Sequence, residues 1–291
     1  MICPIQRRAN GTLLLLASLA VLLLPHAAAQ RVQPPAPRQA FIPRLHQNYL
    51  GFDTNLYPGD ALLRAIHKHF AFLGYWLNTP PGASSNEWTG KRATVMKAGF
   101  GFLILFNGRL DKELRRSDAA ALGAADGAAA ARDAKNEGFP PNAIVFLDVE
   151  EGGRMLPEQL AYIGAWIRAL REQGYRPGVY CPGTPFRDAG VTLTTADDIS
   201  AHFPGTAIWV ANDSCPPAPG CVAHAMRPSQ SGFQNALVWQ FSQSPRRRQF
   251  TRACAETYAQ DGNCYPPGLP QNERTALDMD TSTSPDPSHG R

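Results

Sequence analysis

Asp148 and Glu150 stand two positions apart at the end of Ile144-Val-Phe-Leu-Asp-Val-Glu, and no other residues in this chain are better placed to do chemistry. Ile144 to Leu147 and Val149 are apolar and mostly β-favouring, which predicts a buried strand over 144–150. Side chains alternate along a strand, so both carboxylates point to one side and Val149 to the other. Neither charge is easily desolvated where a buried strand surfaces. Such a pair meets the needs of glycosidic-bond cleavage, with one carboxyl protonated as acid and the other ionised as base, nucleophile or stabiliser. A plainer role also fits these residues: capping the next helix or pairing with surface arginines, since ion-pair networks gather carboxylates too.

The elements that must position this pair alternate. Strands are predicted at 49–53, 72–77, 102–106, 144–150, 178–181, 207–211, 237–241 and 276–280, with helices at 60–70, 89–98, 118–136 and 157–173. The best-marked helix follows the acidic strand. Leu160, Ile163, Ile167 and Leu170 form one apolar face, Pro157 suits its first turn and Gly174 the position past its end. The alanine-rich stretch 118–134 also favours a helix, weakened by Gly123 and Gly127. Eight strands with helices between the early ones predict an α/β fold, a (β/α)8 TIM-like barrel of parallel strands over residues 47–283. The later helices are expected to be short or replaced by disulfide-stapled loops.

Active sites of such barrels lie at the C-terminal strand ends. Strand one brings Asp53 there, strand two Trp76 and Asn78, strand three Asn107, strand four Asp148 and Glu150, and strand five Tyr180. Strand six brings Trp209, strand seven Trp239 and Gln240, and strand eight Asp278 and Asp280. Amides and carboxylates hydrogen-bond hydroxyls, and flat rings stack on the C–H faces of pyranoses, so this rim suits a sugar. Two or three of the aromatics are expected to be core residues instead. For Asp278 and Asp280 an acidic turn at a strand end is the plainer reading.

Gly-Phe-Asp at 51–53, Leu-Asp-Val-Glu at 147–150, Gly-Val-Tyr at 178–180, Ile-Trp-Val-Ala at 208–211, Val-Trp-Gln-Phe at 238–241 and Leu-Asp-Met-Asp at 277–280 occur in the order seen in family 25 glycoside hydrolases. These are muramidases of the Chalaropsis type. The N-terminal half is still more similar to glycoside hydrolase-like relatives once classed as domain of unknown function 1906, some without demonstrated activity. The resemblance covers about residues 48–283. It implies Glu150 as the general acid, and Asp148 as the group that orients a 2-acetamido substituent or acts as base. It further implies Asp53 as a positioning acid and Asp278 or Asp280 as a late-strand acid. The chain departs from the family at Phe241, where a tyrosine is usual, at the short Glu151-Gly152-Gly153 link, and in the long loops 212–236 and 242–275.

Residues 1–29 have the form of a cleaved export signal: Arg7-Arg8, an apolar run over 13–24, and Ala27-Ala28-Ala29 before Gln30. This predicts a secreted or periplasmic protein with no membrane span after cleavage. Residues 30–46 read as a Pro-rich linker and 284–291 as a disordered tail. Losing the two signal arginines lowers the formal charge from +4 to +2, and no basic stripe with interleaved aromatics marks a nucleic-acid binder. Arg246-Arg247-Arg248 reads as a solvated cluster.

In an exported chain Cys215 with Cys221, and Cys254 with Cys264, read as two disulfides closing short loops, which leaves Cys181 as a buried thiol. No metal or cofactor is expected, because no cysteine or histidine pair has ligand spacing. Nothing in the sequence sets an oligomeric state. Three readings remain: a hydrolase of peptidoglycan or another N-acetylated glycan, an inactive glycan-binding barrel of the cell envelope, and a structural protein with charge-paired acids.

Overall fold

The computed structural model describes residues 47–269 and 275–291. The expected signal (1–29) and linker (30–46) lie outside them. Eight strands close a barrel in the order β1-β10-β9-β8-β5-β4-β3-β2. The strands are β1 (Tyr49–Asp53), β2 (Phe72–Trp76), β3 (Gly101–Asn107), β4 (Ile144–Asp148), β5 (Arg176–Pro182), β8 (Ala207–Ala211), β9 (Val238–Ser242) and β10 (Asp278–Ser282). A small antiparallel hairpin, β6 (Phe186–Asp188) with β7 (Val191–Leu193), branches off after β5. The strands from β2 to β4 are buried almost throughout, as parallel strands covered on both sides must be.

The first half follows the predicted alternation. Helices α1 (Asp60–Ile66), α2 (Arg92–Ala98), α3 (Asp111–Leu114), α4 (Ala119–Glu137) and α5 (Pro157–Glu172) separate β1 to β5. Gly123 and Gly127, expected to weaken α4, are the reason it packs closely. A Cβ at these positions would stand 2.2 Å from the Tyr162 carbonyl oxygen and 2.6 Å from that of Trp166 on α5. Helix α6 (Thr195–His202) was not predicted, although Thr194 and Asp197 form its capping box, with Thr194 Oγ1 accepting from Asp197 N at 3.1 Å.

Three expectations are corrected. The eighth strand is not parallel: β10 runs antiparallel to both β1 and β9, so its first residue, Asp278, lies at the rim opposite Asp53. The disulfides join Cys215 to Cys254 and Cys221 to Cys264, across loops rather than within them. The two loops run side by side, with Cys215 N donating to Phe250 O and Cys221 N to Thr257 Oγ1. Residues 284–291 are tied down at the base of the barrel. Asp286 accepts from the Phe102, Gly290 and Arg291 amides, and the Ser288 backbone bonds Phe102 O and Ile144 N. A polar, Pro-containing tail can be ordered when it satisfies strand-end groups that would otherwise lack partners.

Candidate functional site

At the mouth of the barrel a cleft of about 370 Å³ is lined by Asp53, Asp148, Glu150 and Asp278 together with Trp76, Tyr180, Trp209 and Gln240. Strand β4 ends at Asp148, one turn of the pleat earlier than predicted. Asp148 sits in register between Asn107 of β3 and Tyr180 of β5, and Val149 N still donates to Tyr180 O at 3.0 Å. The two carboxylates consequently meet different surroundings. Asp148 is 4% exposed, and the partner its carboxyl finds is the facing Glu150 carboxyl, with which it shares a hydrogen bond. Glu150 is exposed at the mouth.

The segment after Glu150 is fastened rather than loose. Glu151 accepts from Asp111 N (2.7 Å) and Gln159 Nε2 (3.0 Å). Gly153 donates to Thr195 Oγ1 at 2.9 Å and accepts back from that hydroxyl. Buried Asp198 accepts from Met155 N and Arg154 Nη1, both at 2.8 Å. The short glycine link therefore holds Glu150 in place.

Across the cleft, Gln240 joins three strands. Its amide donates to Asp53 Oδ2 at 2.8 Å, and its Oε1 accepts from Tyr180 Oη at 2.8 Å and Gln243 Nε2 at 3.0 Å. Asp278 accepts from Ser244 N at 2.6 Å. Asp280 lies deeper, with one oxygen bonded by Trp209 Nε1 at 3.0 Å and the carboxyl also sharing a hydrogen bond with Asp53.

Burial pushes the Asp53 carboxyl up to about 7, against the lowering effect of its Gln240 bond, and the Glu150 charge adds to the rise. Asp148 is pushed well above the usual carboxylate range by burial, then by the charges of Glu150 and Asp53. Glu150 is raised by desolvation, with the Arg247 guanidinium and the facing Asp148 carboxyl pulling it back down. Burial and their mutual charge thus favour a proton held between the two carboxyls. Burial also holds Asp278 and Asp280 high, with Asp53 adding to both.

Eight of the residues expected at the rim line the cleft, and Asp280 lies just beneath it. Three do not line it, although Asn107 lines the adjoining cavity that shares Asp148 and Glu150. Trp239 neighbours Gln240 along β9, so it faces the other way; it is fully buried against Phe241 and donates to Asn212 O at 2.8 Å. Asn78 and Asn107 bond each other, Asn78 Nδ2 to Asn107 O and Asn107 N to Asn78 Oδ1, and so fix the ends of β2 and β3. Trp209 is a floor residue, 1% exposed beneath the Tyr180 ring.

Sequence reasoning missed Asn55, Leu105 and Gln243, which also line the cleft. Position relative to the strand ends signalled Asn55 and Gln243. Arg247 is not solvated as expected: it pairs bidentately with fully buried Asp213 (2.7 and 3.2 Å) and stacks on Phe250. No sequence signal links residues 34 positions apart in that way.

The stretch carrying Asp148, Glu150, Tyr180 and Trp209 has a match among known families. Residues 79–217 match the model of the Rv2525c-like, glycoside hydrolase-like domain. That bears out the resemblance read from the motifs. No curated protein matches the chain. Among solved structures, an uncharacterized protein of B. stearothermophilus is 22% identical, with 80% of this chain and 94% of that one covered and a TM-score of 0.48. The Tat-secreted protein Rv2525c of Mycobacterium tuberculosis is 12% identical (82% and 96% covered, TM-score 0.48). The spore cortex lytic enzyme SleM of Clostridium perfringens is 16% identical (81% and 68% covered, TM-score 0.47).

Proposed function

We propose that this protein is an exported glycoside hydrolase acting on peptidoglycan or another N-acetylated glycan. Glu150, exposed at the mouth, reaches a glycosidic oxygen and protonates it as the bond breaks. Asp148, one pleat deeper, receives the N–H of a 2-acetamido group and steadies the positive charge that develops at C1, or acts as base. Asp53, held by Gln240, positions substrate or water, and Trp76 with Tyr180 provides ring surface for the sugar.

The observation that carries this reading is the unequal setting of the pair: one carboxyl exposed at the mouth, the other buried beneath it and facing it. Unequal environments are how two carboxyls acquire opposite roles. Two disulfides within the chain support an oxidising destination. The family match supports the reaction class.

A second reading, a glycan-binding barrel without turnover, is favoured by one observation. Burial and neighbouring charge raise Asp148, while Arg247 draws Glu150 toward its ionised form. Turnover then requires that a bound substrate move the proton to Glu150. Release of reducing ends from purified peptidoglycan and chitin-type oligomers, compared between wild type and Glu150→Gln, separates the two readings. Hydrolysis abolished by the substitution supports the first; binding without hydrolysis in wild type supports the second.

A further inference from the structure

A chain of hydrogen bonds reaches Asp53 from outside the barrel strands. Gln243 stands just past the end of β9, where its Nε2 donates to Tyr180 Oη at 3.2 Å and to Gln240 Oε1 at 3.0 Å. Tyr180 Oη donates to the same Gln240 oxygen at 2.8 Å. Gln240 Nε2 then donates to Asp53 Oδ2 at 2.8 Å and approaches Asp278 Oδ2 at 3.4 Å. The backbone on either side of Gln243 is fastened to one half-cystine. Ser242 Oγ lies 3.3 Å from Cys264 Sγ, and Ser244 Oγ accepts from Cys264 N at 2.9 Å and donates to Leu277 O at 2.7 Å. The Cys221–Cys264 staple therefore holds Gln243 over the cleft that it lines.

Donor counting gives this chain a direction. An amide oxygen only accepts, an amide nitrogen only donates, and a hydroxyl has one proton to give. Two donors converge on Gln240 Oε1, which turns Gln240 Nε2 to the acids. Turning that amide over would set its NH2 against the NH2 of Gln243 and would require Asp53 to supply a proton to Gln240 Oε1. Tyr180 does not prevent this, because its hydroxyl serves as donor or acceptor; Gln243 does. We propose that Gln243 is a positioning residue: by donating to both Tyr180 and Gln240 it sets the direction of the chain, so that Asp53 faces the cleft as an acceptor for an O–H of sugar or water.

The role rests on the cleft being a glycan site only for the identity of that O–H. On its other side Asp53 shares a hydrogen bond with fully buried Asp280. One proton must lie between those two carboxyls, and donation from Gln240 favours leaving it on Asp280. The other titratable groups around Asp53 are Asp278 on β10, Asp148 and Glu150 at the end of β4, and Tyr180 on β5. Like charges raise a carboxyl, so it is the hydrogen bonds from Gln240 and Asp280 that draw Asp53 toward its ionised form. Removing the donor that orients Gln240 must then raise Asp53.

Titration of the Asp53 carboxyl carbon by 13C NMR, in wild type and Gln243→Met, tests this. Methionine keeps the length of the side chain and removes its donor, so the Asp53 midpoint should rise by about 0.5–1 pH unit. An unchanged midpoint in the folded variant overturns the proposal. Wild type alone decides the matter if the variant does not fold: the Gln240 side-chain NH2 signals should move downfield as Asp53 ionises. Signals that stay put or move upfield mean that the amide is turned the other way, and overturn the proposal. Neither measurement involves turnover. The expected shifts without reducing-end release by wild type would sink the hydrolase and leave the positioning role; release without the shifts would do the reverse.

Discussion

From β1 to β5 each strand runs parallel to the next and a helix crosses between them; from β8 to β10 the chain abandons that plan. There the connections are long loops with two short 3₁₀ turns, Pro228–Ser231 and Arg252–Thr257, and the last strand reverses direction. The first half holds itself together by packing, as α4 against α5 shows. The second half relies on two disulfides and the Arg247–Asp213 pair to keep its loops over the mouth. The candidate site is divided the same way. The regular half fixes Asp148 and Glu150, and the irregular half supplies Gln240, Gln243, Asp278 and the Arg247 field that tune them. A repetitive frame makes a carboxylate's position reliable, whereas stapled loops can change what surrounds it.

The comparison breaks first at the staples. Each disulfide spans about forty residues (39 and 43), so replacing both cysteines of either pair by alanine should destabilise the protein by about 3–4 kcal/mol through loop-closure entropy. Urea denaturation measures the loss, and hydrogen exchange should place the new openings after β8 and β9 while β2–β4 stay protected. Equal loosening of both halves would contradict the division.

The seam between the halves is sensed by Asp53, which bonds Gln240 across it. A carboxyl raised from an ordinary value near 3.8 to about 7 binds its proton more tightly in the folded state. Stability must then be highest at acid pH and fall as pH rises through that interval, by up to about 1.4 kcal/mol per unit, levelling off above it. Melting temperature against pH in wild type and Asp53→Asn checks the sign: the substitution should flatten the fall.

Smaller effects test the base and the regular half. Asp286→Ala leaves Phe102 N without its acceptor and should destabilise by about 2 kcal/mol. Gly127→Ala drives a methyl against the Trp166 carbonyl and should lower stability by about 1 kcal/mol or more, with no change in the pH dependence of the site. Thermal melts of the two variants give both values.

Much of this was legible in the sequence where local physics decides. Apolar runs bounded by turn residues located all eight barrel strands to within a few residues, and the Asp148-Val-Glu150 spacing put both acids at one mouth. Features set by distant partners were not legible. The reversal of β10 depends on pairing with β1, some 230 residues earlier in the chain, and the disulfide pattern on loops that meet only in space. The role of Arg247 depends on Asp213, and the ordered tail on amides of β3. Trp239 is different: the strand alternation that placed Gln240 in the cleft already excluded its neighbour, and only its aromatic character suggested otherwise.

The most direct test of the central claim is the initial rate of reducing-end release from purified peptidoglycan by wild type and Glu150→Gln at matched folding. A general acid contributes about 10²–10⁴-fold, so the substitution should lower kcat by that factor while leaving glycan binding and the melting temperature nearly unchanged. A wild-type rate no higher than that of Glu150→Gln, with binding intact in both, would contradict hydrolysis at this pair.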